Sequence, residues 1–179
     1  MTDKLARIVR RLTARTGGGA GQCLVDILQA HPSLDPERVV LQDRPEVIEL
    51  AKLNERLPPG VIKMSHDFFA PQPIHGAGAY YLRMIVHDYF DEAAVSILRH
   101  LAAAMAPASR LLLAETVVPD RVDEASLPAA TIDLFMFTLG GKERTVAGFE
   151  TILKAAGLKL RKVWQPEGTA QAIVEAMLE

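Results

Sequence analysis

The chain has little of several residue types, and each shortage excludes a class of protein. It has a single cysteine, Cys23, which rules out a disulfide within the chain and a cysteine-based zinc site. It has no apolar run of membrane-spanning length, and its basic N-terminus lacks the apolar core of a signal peptide. The formal net charge is only −2, which gives no electrostatic case for nucleic acid or a membrane. We therefore expect a cytoplasmic protein that has no metal and binds neither nucleic acid nor a membrane.

The rest of the composition is that of an ordinary globular domain. Hydrophobic residues make up 49% of the 179 residues and charged residues 23%, so one domain with a sizeable core is expected. The predicted strands are Arg38–Asp43, Val61–His66, Ala79–Ile85, Ser109–Glu115, Leu158–Gln165 and Gln171–Met177. The predicted helices are Gly21–Ala30, Pro45–Asn54, Asp91–Met105, Leu127–Thr138 and Val146–Ala156. This alternation predicts an α/β fold with an open, mostly parallel sheet and helices on both faces.

A glycine-rich loop, from Gly17 to Gly21, opens the first of these helices. Glycines let the backbone approach a ligand closely, and a helix N-terminus presents free N–H groups. The next predicted strand ends at Asp43, where a carboxylate can accept hydrogen bonds from ribose hydroxyls. The loop, the helix and the acidic strand end together predict a site for a nucleotide-type cofactor.

The segment before this loop is basic rather than apolar. Residues 1–16 combine Lys and Arg with apolar residues at helical spacing, which predicts a short amphipathic helix. A mitochondrial presequence is a weaker interpretation, because Asp3 is acidic and serines are missing. A glycine loop of this type should follow a buried apolar strand, and Leu12–Thr16 is too basic for a strand buried on both faces. We therefore divide the chain into a basic N-terminal helix or segment, residues 1–16, and a main domain, residues 17–179.

Seven stretches of the main domain occur together in the order and spacing of one protein family. They are GGGAGQ (17–22), QDRPEVIELAK (42–52), SHDFFAPQP (65–73), YYLRMIVHDYFDEAAVSIL (80–98), APASRLLLAETVVPD (106–120), GGKERT (140–145) and AAGLKLRKVW (155–164). As a set they resemble the class I S-adenosylmethionine-dependent O-methyltransferases of the plant caffeate type, and especially their fungal relatives in secondary metabolism. The resemblance runs from about Gly17 to the C-terminus.

The resemblance implies a Rossmann-like methyltransferase fold and a catalytic domain over residues 17–179. That domain would transfer a methyl group from S-adenosylmethionine to a small phenolic or polyketide-type metabolite. The residues implied to bind the cofactor are Gly17, Gly19, Gly21, Asp43, Asp67, Phe68 and Arg83. The residues implied in catalysis are His87, as general base, and the acidic pair Glu115 and Glu143, which positions it. Asp133 and Met136 are implied to shape the acceptor pocket.

The chemistry of these residues fits methyl transfer to oxygen. The reaction needs a deprotonated nucleophile held close to the methyl carbon in a dry site. Histidine accepts a phenol proton near neutral pH, and a carboxylate on its other nitrogen selects the tautomer and steadies the imidazolium. Because His87 follows one predicted strand and Glu115 ends another, both should lie at the carboxyl edge of the sheet, where open α/β sheets bind ligands.

Each of these assignments has a structural alternative. His87 can be a buried structural histidine, Glu115 a solvent-facing strand end, and Glu143 a partner of the helix dipole that follows it. Asp67 can cap a turn, and Asp43 can cap the helix that begins just after it.

Two departures from the family pattern lead to further expectations. Family members are roughly twice as long and have an N-terminal helical domain that pairs two subunits and closes the acceptor pocket. Their first strand is hydrophobic and ends in an acidic residue, whereas Leu12–Thr16 stands in that place here and Thr16 has no charge. We therefore expect a truncated protein with a sheet altered or reduced at its first strand, and weakened S-adenosylmethionine binding. The place of that strand would be filled by the N-terminal segment bent into an imperfect strand, by a segment of another subunit, or by a rearranged sheet. We also expect a homodimer or larger assembly, because exposed strand edges and apolar surface need cover.

Three functions follow from these observations. The first is O-methyl transfer with His87 as base. The second is a protein that has lost methyl transfer and catalyses a cofactor-independent cyclisation, dehydration, isomerisation or pericyclic step. The third is a non-catalytic partner of a full-length methyltransferase. The presence of His87, Glu115 and Glu143 together favours an enzyme.

Overall fold

The computed structural model describes residues 13–16, 19–124 and 126–179. In this part of the chain, strands and helices alternate. The strands are β1 (Thr13–Thr16), β2 (Val39–Asp43), β3 (Ile62–Ser65), β4 (Ala79–Arg83), β5 (Arg110–Thr116), β6 (Leu158–Trp164) and β7 (Gln171–Leu178). The α-helices are α1 (Gln22–Ala30), α2 (Pro45–Lys52), α3 (Asp91–Ala104), α4 (Leu127–Thr138) and α5 (Val146–Ala155). Two short 3₁₀ helices, Pro36–Arg38 and Val86–Asp88, precede β2 and follow β4.

Local sequence explains where several of these elements begin and end. Pro45 and Pro128 lie in the first turns of α2 and α4, where a missing N–H breaks no helical hydrogen bond. The Thr145 side chain caps α5 by accepting a hydrogen bond from the N–H of Gly148. Gly157, with φ of 76°, follows the end of α5. The predicted helices and strands from residue 21 onward are confirmed, with boundaries within about two residues of those predicted.

The strands form one sheet in the order β3-β2-β1-β4-β5-β7-β6. The pairs from β3 to β5 are all parallel, whereas β7 runs antiparallel to both β5 and β6. The mostly parallel α/β sheet is therefore confirmed. Its parallel strands all end at the same edge, and the loops that follow them carry the candidate site.

The centre of the sheet is intact, which corrects the predicted alteration there. β1 pairs in register with β2 on one side, Thr13 opposite Val39, and with β4 on the other, Thr13 opposite Ala79. The predicted N-terminal helix is therefore wrong at Thr13–Thr16, where the alternative of the N-terminal segment as the strand is observed, and residues 1–12 lie outside the described part of the chain. The reason is that neighbouring strands pair with backbone N–H and C=O groups, and threonine favours an extended backbone whatever charge lies beside it. The sheet thus begins before the predicted domain boundary at residue 17.

Two apolar clusters hold the helices against the sheet. One joins α1 and α2 to β2 and includes Leu24, Leu41 and Ile48. The other joins α3 and α5 to β4, β5 and β7, and its largest fully buried side chains are Tyr80 and Phe149. Burial of this apolar surface fixes the strands, so that the loops at the carboxyl edge are presented on a rigid frame.

The described helices are short, and the longest, α3, has 14 residues. None of those described is long and apolar enough to cross a membrane. In the same part of the chain, no three His, Cys, Asp or Glu side chains lie together so that they could hold a metal ion.

Candidate active site

A tight turn follows β4 and carries the candidate general base. Directly after the strand, Met84 adopts a left-handed backbone conformation with φ of 51°, which is uncommon for a residue with a side chain. Its N–H donates to the carbonyl oxygen of Ala114 on β5, 3.1 Å away. The 3₁₀ helix Val86–Asp88 follows and leaves the His87 side chain buried, with 7% of the residue exposed. The turn therefore directs the imidazole into the protein.

One ring nitrogen of His87 is held by a buried carboxylate. Nδ1 lies 2.9 Å from Oε1 of Glu143, whose side chain is fully buried. An ionised carboxylate only accepts hydrogen bonds, so Nδ1 carries the proton that it donates. Nε2 then keeps its lone pair, and it lies 3.4 Å from Oδ1 of the half-exposed Asp88. A neutral imidazole in this arrangement can accept a proton at Nε2.

Two opposing effects set the pKa of His87. Burial lowers it, because an imidazolium loses its hydration inside the protein. The hydrogen bond to Glu143 and the charges of Glu115, Glu143 and Asp88 raise it, and together they prevail, so the pKa lies above the ordinary value of 6.5. A base with a raised pKa holds an abstracted proton more firmly.

Glu115 supports the same turn from β5, but through the backbone. The residue is fully buried, and its Oε1 accepts hydrogen bonds from the N–H groups of Ile85, at 3.1 Å, and Val86, at 2.9 Å. Its Oε2 has no hydrogen-bond partner among the described residues. Burial raises the pKa of Glu115 to about 7, against the lowering effect of those two N–H groups. The alternative of a solvent-facing strand end is therefore wrong, and the observed hydrogen bonds of Glu115 hold the turn that carries His87.

The segment that carries Glu143 packs directly onto this turn. The N–H of Lys142 donates to the carbonyl oxygen of His87, 2.8 Å away. Gly141 lies so close that a Cβ atom there would collide with the same carbonyl oxygen. The helix that follows is capped by Thr145, and the Glu143 carboxylate faces His87 instead of the helix N-terminus. Close backbone contact thus sets the distance between the two side chains.

Arg144 links the turn that carries His87 to the segment that carries Glu143, and we call this set of contacts the clasp. Arg144 was not among the predicted site residues. Its side chain is almost fully buried and donates to the carbonyl oxygens of Val86, at 2.8 Å, and Tyr89, at 2.7 Å. It also pairs with Oδ1 of Asp91 at 2.8 Å, and Lys142 Nζ bonds the other oxygen of Asp91 at 3.0 Å. The alternation of basic and acidic residues in GGKERT is the sequence signal that could have indicated this clasp.

Helix α4 supports the Glu143 segment from another side. Oδ1 of Asp133 accepts a hydrogen bond from the N–H of Glu143 at 2.8 Å, and the carbonyl oxygen of Met136 accepts one from the N–H of Gly141 at 2.9 Å. Met136 is buried and Asp133 is partly exposed. Both residues therefore lie beside the His87–Glu143 pair, and their part in an acceptor pocket stays a prediction.

The predicted cofactor residues near the glycine loop lie at the ends of β1 and β2. Gly17 lies outside the described residues, whereas Gly19 and Gly21 have φ values of 56° and 88°, which favour glycine. The N–H of Gly19 donates to Oδ2 of Asp43 at 2.7 Å, and Oδ1 of Asp43 accepts the N–H of Arg44 at 2.8 Å. Arg44 occupies the N-cap of α2, so the helix-cap alternative for Asp43 is wrong. The carboxylate instead ties the glycine loop to the end of β2.

The remaining predicted cofactor residues lie in the loops after β3 and β4. Oδ1 of Asp67 accepts a hydrogen bond from the N–H of Phe69 at 2.9 Å. Asp67 therefore caps a turn, as the structural alternative for this residue expected. Phe68, Phe69 and Tyr89 form an aromatic cluster with ring centroids 5.2 to 5.9 Å apart. Arg83 is exposed at the end of β4. The cluster joins the loop after β3 to the turn that carries His87, and Tyr89 was not among the predicted site residues.

A separate cavity of about 660 Å³ lies where the end of β5, the start of α4 and the β6–β7 turn meet. Thr116, Ala129 and Gln171 line it, whereas His87 and Glu143 do not. The candidate chemistry therefore lies at the carboxyl edge around β4 and not in this cavity.

The sequence of this carboxyl edge is shared with a known family. The profile of the O-methyltransferase domain matches residues 4–159. The chain belongs to the O-methyltransferase family. The resemblance inferred from the seven sequence stretches is thus confirmed.

Fungal relatives of this O-methyltransferase chain match most of its length. The methyltransferase pvhD of Talaromyces variabilis is 38% identical over 169 residues, which cover 94% of this chain and 46% of that protein. The O-methyltransferase hmp5 of Hypomyces subiculosus is 38% identical over 178 residues, which cover 98% and 44%. The demethylsterigmatocystin 6-O-methyltransferase stcP of Emericella nidulans is 38% identical over 166 residues, which cover 92% and 78%. The chain thus spans less than half the length of pvhD and hmp5.

Solved structures confirm the Rossmann-like methyltransferase fold. OxaC in complex with S-adenosylhomocysteine (SAH) and oxaline superposes with a TM-score of 0.88 at 32% identity, covering 99% of this chain and 46% of OxaC. LepI in complex with S-adenosylmethionine (SAM) superposes with a TM-score of 0.86 at 32% identity, covering 95% and 43%. A structure described as a pericyclic reaction enzyme gives the same TM-score and identity.

Proposed function

We propose that this chain transfers a methyl group from S-adenosylmethionine to a hydroxyl oxygen of a small phenolic or polyketide-type metabolite, with His87 as general base. The observation that carries the proposal is the buried contact of 2.9 Å between Nδ1 of His87 and Glu143, which leaves Nε2 as the base. Membership of the O-methyltransferase family supports the reaction class. The name of the relative that methylates demethylsterigmatocystin supports the class of acceptor.

In the proposed reaction, Nε2 of His87 takes the proton of the acceptor hydroxyl as that oxygen becomes the nucleophile. S-adenosylmethionine, when bound, supplies the methyl group from its sulfonium centre. Glu143 on Nδ1 balances the positive charge that the imidazole gains. Glu115 holds the turn in place through two backbone N–H groups. Because both carboxylates are buried, these interactions are stronger than they would be in water.

The loops at the carboxyl edge have the donors and acceptors that S-adenosylmethionine needs. No described side chain caps the first turn of α1, so its N–H groups remain for the amino-acid carboxylate. Each oxygen of Asp43 accepts one N–H and keeps a second acceptor site for a ribose hydroxyl. Asp67 and Phe68 are proposed beside the adenine, and Arg83 as a further contact. The paired central strand argues against the predicted weakening of cofactor binding.

We propose that the acceptor lies beside α4. Asp133 and Met136 bond the segment that carries Glu143, so a molecule bound next to that segment would lie against this helix. The Met136 side chain is apolar and adaptable, as contact with an aromatic ring requires.

Titration calorimetry with S-adenosylmethionine, followed by mass analysis of phenolic acceptors incubated with the protein, tests the proposal. We expect cofactor binding and a product heavier by one methyl group. His87→Ala should bind the cofactor and form product far more slowly, while His75→Ala, at an exposed loop histidine, should behave as the unaltered protein. Absence of binding at millimolar S-adenosylmethionine would exclude methyl transfer.

A second candidate function is a reaction without methyl transfer, such as a cyclisation, dehydration, isomerisation or pericyclic step. It is favoured by the superposition, at a TM-score of 0.86, on a pericyclic reaction enzyme. The same His87 would then move a proton within one substrate. Because a related fold binds S-adenosylmethionine, binding alone does not separate the two functions. The product does: an isomer of the substrate supports the second function, and a methylated product supports the first.

We further propose that the chain associates with a second copy or with a full-length relative. Helix α4 exposes Leu134, Phe135 and Phe137 by 62 to 68%, and large apolar side chains close together on a surface are costly to leave in water. Light scattering at high micromolar concentration should give at least the mass of a dimer. A monomer at that concentration would contradict self-association.

A further inference from the structure

Asp133 is an unusual residue for its place in the sequence. α4 reads LPAATIDLFMFT, and Asp133 is its single charged residue. Aspartate away from a helix N-terminus is a poor helix former, because its carboxylate competes for backbone groups. The polarity of the helix is also inverted: Leu134, Phe135 and Phe137 are exposed, whereas the carboxylate of Asp133 turns to the fold. Solubility therefore does not explain this residue.

The Asp133 carboxylate is the first of two hydrogen bonds in series that lead to the imidazole. Its Oδ1 accepts the backbone N–H of Glu143 at 2.8 Å. The side chain of the same Glu143 then accepts the proton of His87 Nδ1 at 2.9 Å. Glu143 is 5% exposed, and Oδ1 of Asp133 is the acceptor of its N–H in the described structure. The position of the Glu143 backbone, and with it the carboxylate, thus depends on Asp133.

We propose that Asp133 is a positioning residue for the His87–Glu143 pair, holding the Glu143 backbone so that its carboxylate stays against Nδ1. The proposal rests on the proposed function only in naming His87 as the base, because the positioning is a property of the free protein. The carboxylates that face His87 are Glu143, Glu115 from β5 and Asp88 from its own turn. The cationic Arg144 binds the carbonyl oxygen of the neighbouring Val86. Asp133 therefore acts on His87 through Glu143.

The test is an NMR titration of His87 in the free protein. When Asp133→Ala frees the Glu143 backbone, the hydrogen bond to Nδ1 weakens and less opposes the lowering effect of burial, so the pKa of His87 should fall by about half to one unit. Asp133→Asn keeps an oxygen that accepts the same N–H, so its His87 should titrate as in the unaltered protein. Thr131→Ala, on an exposed turn of the same helix, is the matched control and should leave the pKa unchanged.

Two results would overturn the proposal. One is a folded Asp133→Ala protein whose His87 titrates as in the unaltered protein. The other is a lowered pKa in Asp133→Asn, which would assign the effect to charge instead of the hydrogen bond and stays decisive if the alanine variant does not fold. Failure of the proposed function gives a different pattern, in which methyl transfer is absent from the unaltered protein while Asp133→Ala still lowers the pKa of His87.

Discussion

Glu143 holds His87 through one oxygen, with Oε1 2.9 Å from Nδ1, while its other oxygen has no hydrogen-bond partner among the described residues. Oε2 of Glu115 is likewise buried without a partner in the described part of the chain. Both carboxylates raise the pKa of His87, and each keeps one oxygen that accepts no hydrogen bond from a described residue. Glu143, and Glu115 in its ionised form, place negative charge where the imidazole gains a proton, which stabilises the imidazolium of the proposed reaction.

Replacing the base gives the first prediction. His87→Ala should lower the rate by about 10² to 10⁴, the usual contribution of a general base, while the fold stays intact. Steady-state rates with a methyl acceptor, together with circular dichroism, check this. The exposed His75→Ala should keep the full rate. Nearly full activity in His87→Ala would show that the site works by shape alone.

The buried Glu115 predicts a pH dependence of stability. Its pKa is raised from 4.5 to about 7 in the folded protein, so the folded state binds the proton more tightly than the unfolded state does. The contribution of this group is therefore fully present below about pH 4.5 and is lost as the pH rises through about 7. Urea unfolding of the unaltered protein should accordingly show stability falling between these values.

Glu115→Gln isolates this effect. Glutamine keeps an oxygen for the N–H groups of Ile85 and Val86 and carries no charge, so it mimics the protonated acid. The variant should be more stable than the unaltered protein at high pH, by a few kcal/mol at most, and lose that advantage in acid. The pKa of His87 changes stability with the same sign, and Glu143 and Asp88 still raise it in the variant although Glu115 no longer does, so a shallower slope is expected there, not a flat one. An equal slope in both proteins would contradict the assignment to Glu115.

Much of the fold could be predicted from the sequence because apolar periodicity and turn residues act locally. Leu127–Thr138 was predicted with the bounds that the structure has, since Pro128 and the glycines at 140 and 141 limit it. Thr13–Thr16 was missed because its two threonines are a weak strand signal beside the basic residues around them. Its strand is imposed by the backbones of β2 and β4 on either side, which no local pattern reports.

The site was predictable in its residue types and less so in its contacts. His87 and Glu143 stood out as a base and a carboxylate, but 56 positions separate them in the chain. The charge alternation in GGKERT marks Arg144 as a residue that could form an ion pair, but its partner Asp91 lies 53 positions away, and the sequence does not indicate which acidic residue it meets. Glu115 was expected to act on the imidazole, and the structure shows its hydrogen bonds on the backbone.

The close approach of Gly141 to His87 gives the next prediction. A Cβ at position 141 would collide with the His87 carbonyl oxygen, so Gly141→Ala must push the Glu143 segment away from the imidazole. We expect a loss of roughly 1–3 kcal/mol in unfolding free energy, as for overpacking, and a lower rate. Gly140→Ala is the matched control: its φ of 87° carries left-handed strain, but nothing lies within 4 Å of its Cβ. Equal rates in the two variants would contradict a role for close packing.

The hydrogen bond between Asp43 and the glycine loop leads to a prediction about cofactor affinity: we expect that its loss weakens the binding of S-adenosylmethionine. Asp43→Ala removes both the acceptor of the Gly19 N–H and the proposed ribose acceptor, so the Kd for S-adenosylmethionine should rise by about 10- to 100-fold, the value of one or two hydrogen bonds. Titration calorimetry measures it. Asp35→Ala, whose carboxylate also accepts a backbone N–H but at the exposed start of a 3₁₀ helix, should bind the cofactor unchanged. Equal affinity in both variants would remove Asp43 from the cofactor site.

The contacts of Arg144 lead to a prediction about stability. We expect that a positive charge at position 144 is not enough to hold the His87 turn against the Glu143 segment. Lysine keeps the charge but not the fork of N–H groups, so Arg144→Lys removes the guanidinium donors from the carbonyl oxygens of Val86 and Tyr89. The Val86 oxygen keeps the N–H of Tyr89 as a donor. We expect a loss of about 2–4 kcal/mol in urea unfolding, because the buried hydrogen bonds of the guanidinium to both carbonyl oxygens are lost. Asp91→Asn should cost less, since Asp91 is half exposed and the guanidinium keeps both carbonyl contacts.

The losses of stability in Arg144→Lys and Asp91→Asn should also depend on pH in different ways. Burial works to raise the pKa of Asp91, but Lys142 and Arg144 prevail and lower it. The ion-pair contribution of Asp91 is therefore present at neutral pH and lost as the pH falls through that lowered pKa. The cost of Asp91→Asn should shrink in acid, while most of the cost of Arg144→Lys should persist, because carbonyl oxygens do not titrate. A loss in Arg144→Lys that disappears in acid would show that the clasp is electrostatic and that the carbonyl contacts add nothing.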